Sequence, residues 1–444
     1  MKSLWGKFNQ SARAFADDRR GNIAVTFALA TLPVIGMAGA AVDYSHANSI
    51  KAAMQSALDS TALMLSRDAS DLSNTDLQTK AKNYFTALFT RPEAKNITIS
   101  ATYTETGGSQ VVVNGAATVD TNLLGILGYR QIAVNGTATA KWGTERLRVA
   151  LALDNTGSMA SDGKMTALKS ATKSLLNQLK AAASTNGDVY VSIIPFANDV
   201  NVGTSNYNAS WIDWADWDAD NTTTSCTGRR GRTCRTVPLS HSTWNGCVTD
   251  RGNSNTYVGS NWDQVVTLPT SSPNSKWPAD EDDYCPVQMR GLSYDWTAMN
   301  NLVDSMQPAG STNQPIGLVW AWQSLVGGGP LTAPAKDSNY TYKEYIILMS
   351  DGLNTENRWT TTQSSVDKRM YDSTAGGTGT CANIKASGVT IFAIQVDTGG
   401  DGLSTIMQNC ASSSDKFYRI TSAGDLGTVF NAIGTNLTKL RVAR

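Results

Sequence analysis

Oxygen-bearing side chains cluster in three loops beside apolar runs. The run LRVALAL (residues 147–153) drops into DNTGS, which offers Asp154, Thr156 and Ser158 at alternating positions. The loop GSTN (310–313) precedes the apolar stretch PIGLVWAWQSL and offers Thr312, and the run EYIILMS (344–350) stops at Asp351. Two carboxylates and three hydroxyls, with no His or Cys among them, form a donor set for a hard cation. Mg²⁺ takes six oxygens at about 2.0–2.1 Å and keeps several waters, so one or two carboxylates suffice; Ca²⁺ takes more oxygens at longer distances and is less suited. Taken singly the pieces have plainer uses, Asp154 as a helix cap and SDG as a common turn.

Loops so far apart in the chain meet only if the runs beside them are neighbouring strands of one sheet. LRVALAL, VYVSIIPFA (189–197), EYIILMS and VTIFAIQV (389–396) have the length and apolar continuity of buried parallel strands. Helical patterns lie between and after them. Met165, Leu168, Thr172, Leu175, Leu176 and Leu179 share one helical face, and Leu426, Val429, Phe430, Ile433, Leu437 and Leu440 share another. The alternation predicts an α/β fold with a doubly wound, mostly parallel sheet, whose ligands bind beyond the C-terminal strand ends. Residues 205–290 break this rhythm. They hold Cys226, Cys234, Cys247 and Cys285 together with Trp211, Trp214, Trp217, Trp244, Trp262 and Trp277, and they predict a disulfide-braced insertion. Its tryptophans are expected either to be buried within it or to meet glycans or a membrane surface.

DNTGSM, GSTN and LMSDG, in this order and strand context, resemble the metal-ion-dependent adhesion site of von Willebrand factor type A domains, whose pattern is D-x-S-x-S, then Thr, then Asp. Thr156 stands in place of the first Ser and keeps the hydroxyl. The resemblance covers residues 146–204 and 291–444. It implies that Thr156, Ser158 and Thr312 touch a divalent cation directly and that Asp154 and Asp351 hold it through water. The cation implied is Mg²⁺, with Mn²⁺ or Ca²⁺ as alternatives. It also implies that an acidic side chain of a protein partner fills the open position. At the N-terminus, RRGNIAVTFALATLPVIGMAGAAVDYSHA followed by MQSALDSTALML is similar to the TadG-like family of Flp (tight adherence) pilus assembly proteins, which join a membrane anchor to an exported von Willebrand A domain. The prepilin cleavage pattern of that family's small pseudopilin relatives, a Gly with Glu five residues on, is not met, since Thr26 follows Gly21 at that distance.

Residues 23–42 carry no charge, and about 20 such residues span a hydrocarbon core of about 30 Å. Before them stand Lys2, Lys7, Arg13, Arg19 and Arg20 against Asp17 and Asp18. The positive-inside rule therefore predicts a cytoplasmic tail (1–20), a transmembrane helix (21–43) and an exported remainder; a cleaved signal peptide is the alternative. Residues 44–145 are expected to form a helical and β region. Ile50, Met54, Leu58, Ala62 and Leu65 lie on one side of a helix, a second helical piece covers 76–89, and alternation over 96–142 predicts a small β layer. All six Cys lie beyond the apolar segment and none forms a CxxC, which favours disulfides over zinc. Cys381 and Cys410 flank the run 389–396 and are expected to pair. The pairing of the other four is open.

Lys plus Arg equal Asp plus Glu at 37 each, so there is no basic excess for nucleic acid. The expectation is a non-enzymatic, single-pass protein of a bacterial inner membrane, with its bulk in the periplasm or at the cell surface. It would serve Flp pilus assembly or adhesion, with other pilus-assembly proteins among its partners. The rivals are a structural periplasmic component with a vestigial metal site and a metal-assisted hydrolase. Against the hydrolase, Ser158 lacks a G-x-S-x-G frame and no motif places a general base.

Overall fold

The computed structural model describes residues 22–105, 108–142, 145–183, 185–227, 233–253 and 261–442. The expected tail, its charged flank and Gly21 lie outside these residues.

A single helix, α1 (Asn22–Leu65), carries the apolar run into the amphipathic stretch without a break, Pro33 included. Its N-terminal part is long and apolar enough to cross a membrane, and Phe27, Leu29, Val34, Ile35, Met37 and Val42 are exposed on it. From Ala47 the character changes, and Ala47, Ile50, Met54, Leu58, Ala62 and Leu65 are buried at helical spacing. A second helix, α2 (Asn74–Leu88), is capped by the Ser73 side chain, which accepts the Asp76 N–H. Both pack on the antiparallel strands β1 (Ala94–Thr104), β2 (Ser109–Asp120) and β3 (Gln131–Trp142), the β layer expected from the alternation. Where the apolar run ends, the Asp43 carboxylate accepts N–H bonds of 3.0, 2.9 and 2.7 Å from Asn122, Leu123 and Leu124, tying α1 to the β2–β3 loop.

A second compact unit begins at Gly143. Its strands are β4 (Glu145–Asp154), β5 (Val189–Phe196), β6 (Val200–Asn201), β7 (Ile212–Asp213), β8 (Thr222–Thr227), β9 (Thr233–Pro238), β10 (Cys247–Val248), β11 (Trp277–Asp280), β12 (Arg290–Ser293), β13 (Thr341–Ser350), β14 (Thr390–Val396) and β15 (Phe417–Ile420). The main sheet runs β15-β14-β13-β4-β5-β6-β10-β11-β7. From β15 to β5 every pairing is parallel, with Asp154 and Ser350 at adjacent strand ends. Beyond β5 the polarity reverses. Strands β6 and β12 both pair antiparallel with β5, and β10 and β11 continue outward. The insertion therefore extends the sheet, while β8 and β9 form a separate hairpin.

Helices α3 (Lys164–Ala182), α4 (Gln314–Leu325), α5 (Gln363–Met370) and α6 (Leu426–Val442) flank this sheet. Leu147, Val149, Leu151 and Leu153 of β4 face the core built with α3 and α6, and Ala150 and Ala152 face the core built with α4. A strand buried on both faces reads as a continuous apolar run, which is why LRVALAL shows no alternation. The side chains named for the last helix are buried from Leu426 to Leu437; that of Leu440 lies outside the description.

Every residue of α4 is buried. A helix apolar all round needs cover on all sides, and the insertion supplies it: the Trp277 and Trp211 rings lie 4.6 and 6.1 Å from that of Trp320. Trp217, Trp244 and Trp277 are each nearly inaccessible, so these tryptophans are core. On the other side α4 sits so close to β5 that a methyl group on Gly317 would run into the Phe196 ring. Arg251, itself buried, donates to the carbonyls of Trp262, Ser275 and Val265 and so satisfies irregular backbone inside the insertion.

The six Cys pair as Cys226–Cys234, Cys247–Cys285 and Cys381–Cys410. The last pair joins the short helices Thr380–Ala386 and Thr405–Cys410 on either side of β14, and both residues lie in the core. With its ends 29 positions apart in the chain, this bridge contributes roughly 3–4 kcal/mol in the chain-entropy model. The double variant Cys381→Ala, Cys410→Ala should lose about that much stability in urea unfolding. A loss under about 1 kcal/mol would show that the closed loop is not what the bridge stabilises.

Candidate metal centre

The parallel register sets β4 and β13 side by side and ends them together, so Asp154 and Asp351 emerge at one sheet edge. Asp154 is fully buried. Its Oδ1 accepts the Thr156 N–H at 2.8 Å and the Thr156 hydroxyl at 2.6 Å, and its Oδ2 accepts the Ser350 hydroxyl at 2.5 Å. The Ser158 hydroxyl donates to Asp351 Oδ1 at 2.6 Å. Thr156 Oγ1 and Ser158 Oγ stand 2.9 Å apart. Asp154, Thr156, Ser158 and Asp351 therefore form one continuous chain of oxygens.

The loop that carries Thr312 is held against these residues by backbone bonds. Gly157 N–H donates to the Gly310 carbonyl at 2.9 Å and Ala309 N–H to the Asn155 carbonyl at 2.8 Å, which lock the first loop to the second. Gly310 has φ +82°, a left-handed conformation that glycine adopts without strain. Thr312 N–H donates to Thr355 Oγ1 at 2.7 Å, and its carbonyl accepts the Thr355 N–H at 2.9 Å, which locks the second loop to the third. Gln314 bridges the same loops, its Nε2 donating to Ser350 Oγ at 3.0 Å and to the Gly352 carbonyl at 2.9 Å. Asn313 reaches the insertion, donating to Asp250 Oδ2 at 2.8 Å. Burial and the nearby Asp263 push the Asp250 carboxyl up to about 7.

The arrangement fits a cation on a proton count. Each hydroxyl has one proton. With the Thr156 proton on Asp154 and the Ser158 proton on Asp351, none is left for the 2.9 Å contact between the two hydroxyl oxygens. Lone pairs face one another there. Adjacent ligands of an octahedral Mg²⁺ at about 2.0–2.1 Å are themselves about 2.9 Å apart. Burial, followed by repulsion from Asp351, pushes the Asp154 carboxyl up to about 6, against the pull of the Ser350 and Thr156 bonds. Positive charge at this edge would relieve both.

One positive group is already present. Lys164 Nζ donates to Asp351 Oδ2 at 2.5 Å. Lys164, Ser350, Gln314 and Thr355 are the site residues that sequence reasoning missed. Only Lys164 carried a signal, a cation opening a helix where the macrodipole favours acids. Asp397, in the DTGGDG loop, accepts the Arg419 guanidinium, and His241 stacks on Trp214 at 3.8 Å and bonds Asp218. Among the described residues no group of three or more His, Cys, Asp or Glu is placed to share an ion; the candidate centre relies on hydroxyls for its remaining donors.

Comparison with known proteins bears on the other end of the chain. Residues 21–64 match the family described as "Putative Flp pilus-assembly TadE/G-like". The N-terminal segment is TadE/G-like. It covers all of α1 but Leu65, so the apolar run and the buried positions from Ala47 to Ala62 both fall within the TadE/G-like segment. No curated protein is matched. Among solved structures, the pilus adhesin SpaC from Lactobacillus rhamnosus GG is similar at 15% identity and TM-score 0.37, over 80% of this chain and 35% of that one. The von Willebrand domain of the type V pili tip protein Mfa5 from Porphyromonas gingivalis is similar at 12% identity and TM-score 0.36, over 67% of this chain and 97% of that one. Proximal thread matrix protein 1 from the mussel byssus, in a structure with a zinc-occupied MIDAS motif, is similar at 12% identity and TM-score 0.33, over 66% of this chain. The chain spans 48% of that thread protein's length. The second unit is a doubly wound, mostly parallel α/β domain.

Proposed function

We propose that this chain is a membrane-anchored envelope protein of Flp pilus assembly or adhesion, and that it binds a protein partner through a divalent cation, Mg²⁺, at the β4–β13 edge. The carrying observation is the 2.9 Å approach of the Thr156 and Ser158 oxygens, each hydroxyl also lying 2.6 Å from a carboxylate oxygen that can take its proton. Thr156, Ser158 and Thr312 would hold the cation directly and Asp154 and Asp351 through water. When bound, the cation offers an open coordination position to an acidic side chain of the partner. Asp154 and Asp351 orient the two hydroxyls by accepting their protons, which turns their lone pairs toward the shared space. The TadE/G-like match supports a role in pilus assembly and not in catalysis.

The test is retention of envelope proteins on the immobilised full-length chain. A partner should be held in Mg²⁺ and released by chelator; a partner held equally well in both would count against the metal mechanism. The Lys164–Asp351 pair supports a second reading, a structural component whose centre no longer needs a metal. The anchor is proposed to be uncleaved, with the N-terminus in the cytoplasm. A reporter active only outside the cytoplasm, fused after Arg444, should be active, and activity from a cytoplasm-only reporter at that point would reverse the topology.

A further inference from the structure

We infer that Lys164 is a resident cation of the centre, holding it together without metal and coupling metal loading to the arrival of an acidic partner. The inference rests on the metal centre proposed above. Lys164 opens α3 and its side chain is 7% exposed, against 0% for Asp351. A buried lysine at the start of a helix faces both a desolvation cost and an unfavourable macrodipole, so its position needs a strong local partner. That partner is Asp351 Oδ2, at 2.5 Å, while Asp351 Oδ1 accepts the Ser158 hydroxyl at 2.6 Å. Both oxygens of Asp351 are therefore engaged by the chain's own donors.

Charge balance governs loading. Ionised Asp154 and Asp351 carry two negative charges, and the Lys164 ammonium offsets one of them. A divalent cation held at the same centre leaves it with one surplus positive charge. The ammonium and the cation repel each other across a poorly solvated site, where charges interact far more strongly than in water. Cation binding alone is weakened. An incoming carboxylate removes the surplus charge, so carboxylate and cation raise one another's affinity, as linkage requires. A centre of two carboxylates without the lysine would stay loaded by itself; with Lys164 it loads together with its partner.

The purified full-length chain is titrated with Mn²⁺ alone, by calorimetry and by electron paramagnetic resonance of the free ion. Lys164→Met removes the charge and keeps an unbranched side chain. It should bind Mn²⁺ at least about tenfold more tightly than the wild type, while Lys164→Arg should stay within about threefold. In chelator, Lys164→Met should melt below the wild type, and Mn²⁺ should restore it. Wild-type binding of Mn²⁺ with equal or weaker binding by Lys164→Met overturns the inference and leaves the metal centre standing. Failure of every variant to bind Mn²⁺, with a melting loss that Mn²⁺ does not restore, overturns the metal centre and the inference with it. Should Lys164→Met fail to fold, Lys164→Gln carries the same expectations.

Discussion

Asp154→Ala is expected to weaken Mg²⁺ binding about a hundredfold or more while leaving the metal-free fold standing. Asp154 fixes Thr156 through both its N–H and its hydroxyl, and its other oxygen fixes Ser350, which Gln314 also engages. Removing one carboxylate thus takes away half the negative charge and the orientation of one direct ligand. Groups that orient metal ligands from behind typically change affinity about 10–100-fold, and the charge lost here adds to that. Thr312→Ala should cost less, because water can replace one neutral donor.

Stability should move little at neutral pH, for a reason that fixes its sign. The Asp154 carboxyl is pushed up to about 6 by burial, above the roughly 3.9 of an unfolded chain. A raised acid pKa gives stability that is fully present below about pH 4 and lost as pH rises through about 6. Near pH 7.5 the ionised Asp154 is therefore a liability that alanine removes, offsetting the acceptor lost to Thr156 and Ser350. Isothermal titration with Mg²⁺ and melting in chelator check both parts. Wild-type Mg²⁺ affinity in Asp154→Ala would remove Asp154 from the centre.

Much of the fold was legible in the chain because buried strands and helix faces repeat. LRVALAL, EYIILMS and VTIFAIQV were each long enough to declare a strand, and the loops at their ends named Asp154, Thr156, Ser158 and Asp351 before any geometry. The strand β15, four residues with no fully buried side chain, had no such pattern. Strands β6, β7 and β10, two residues each, have no period to read, so the insertion looked like irregular chain and not like an extension of the sheet. One clue to its role was available: PIGLVWAWQSL is apolar on all sides, and a helix of that kind needs a cover beyond the sheet. Lys164 stayed hidden because nothing local says which carboxylate a lysine will meet, and Asp351 is far along the chain.

The pair Arg369–Asp263 carries the largest expected effect on stability. Arg369 lies on α5, Asp263 lies in the insertion, and both side chains are 1% exposed. Arg369 Nε donates to Asp263 Oδ2 at 2.7 Å, and Nη2 donates to the other carboxylate oxygen. The bidentate pair pins the insertion to the α/β domain beside the centre, since Asp367 on the same helix accepts Asn354 Nδ2 at 2.8 Å, and Asn354 Oδ1 accepts the Gln314 N–H at 2.8 Å. Arg369→Met should cost about 3–5 kcal/mol near pH 8, because it strands a buried carboxylate. The cost should shrink with acid. Burial already pushes the Asp263 carboxyl up, and Arg369 pulls it down. Without the guanidinium the folded pKa rises further above the unfolded value, so the variant's stability is lost as pH rises through that higher pKa and recovered below it. The double variant Arg369→Met, Asp263→Asn, which has no charge to strand, should regain part of the loss at pH 8 and show a flatter pH profile. Urea unfolding of the three chains at pH 5 and pH 8 decides the matter: a loss in Arg369→Met that is the same at both values would mean that packing, and not the stranded Asp263, sets the cost.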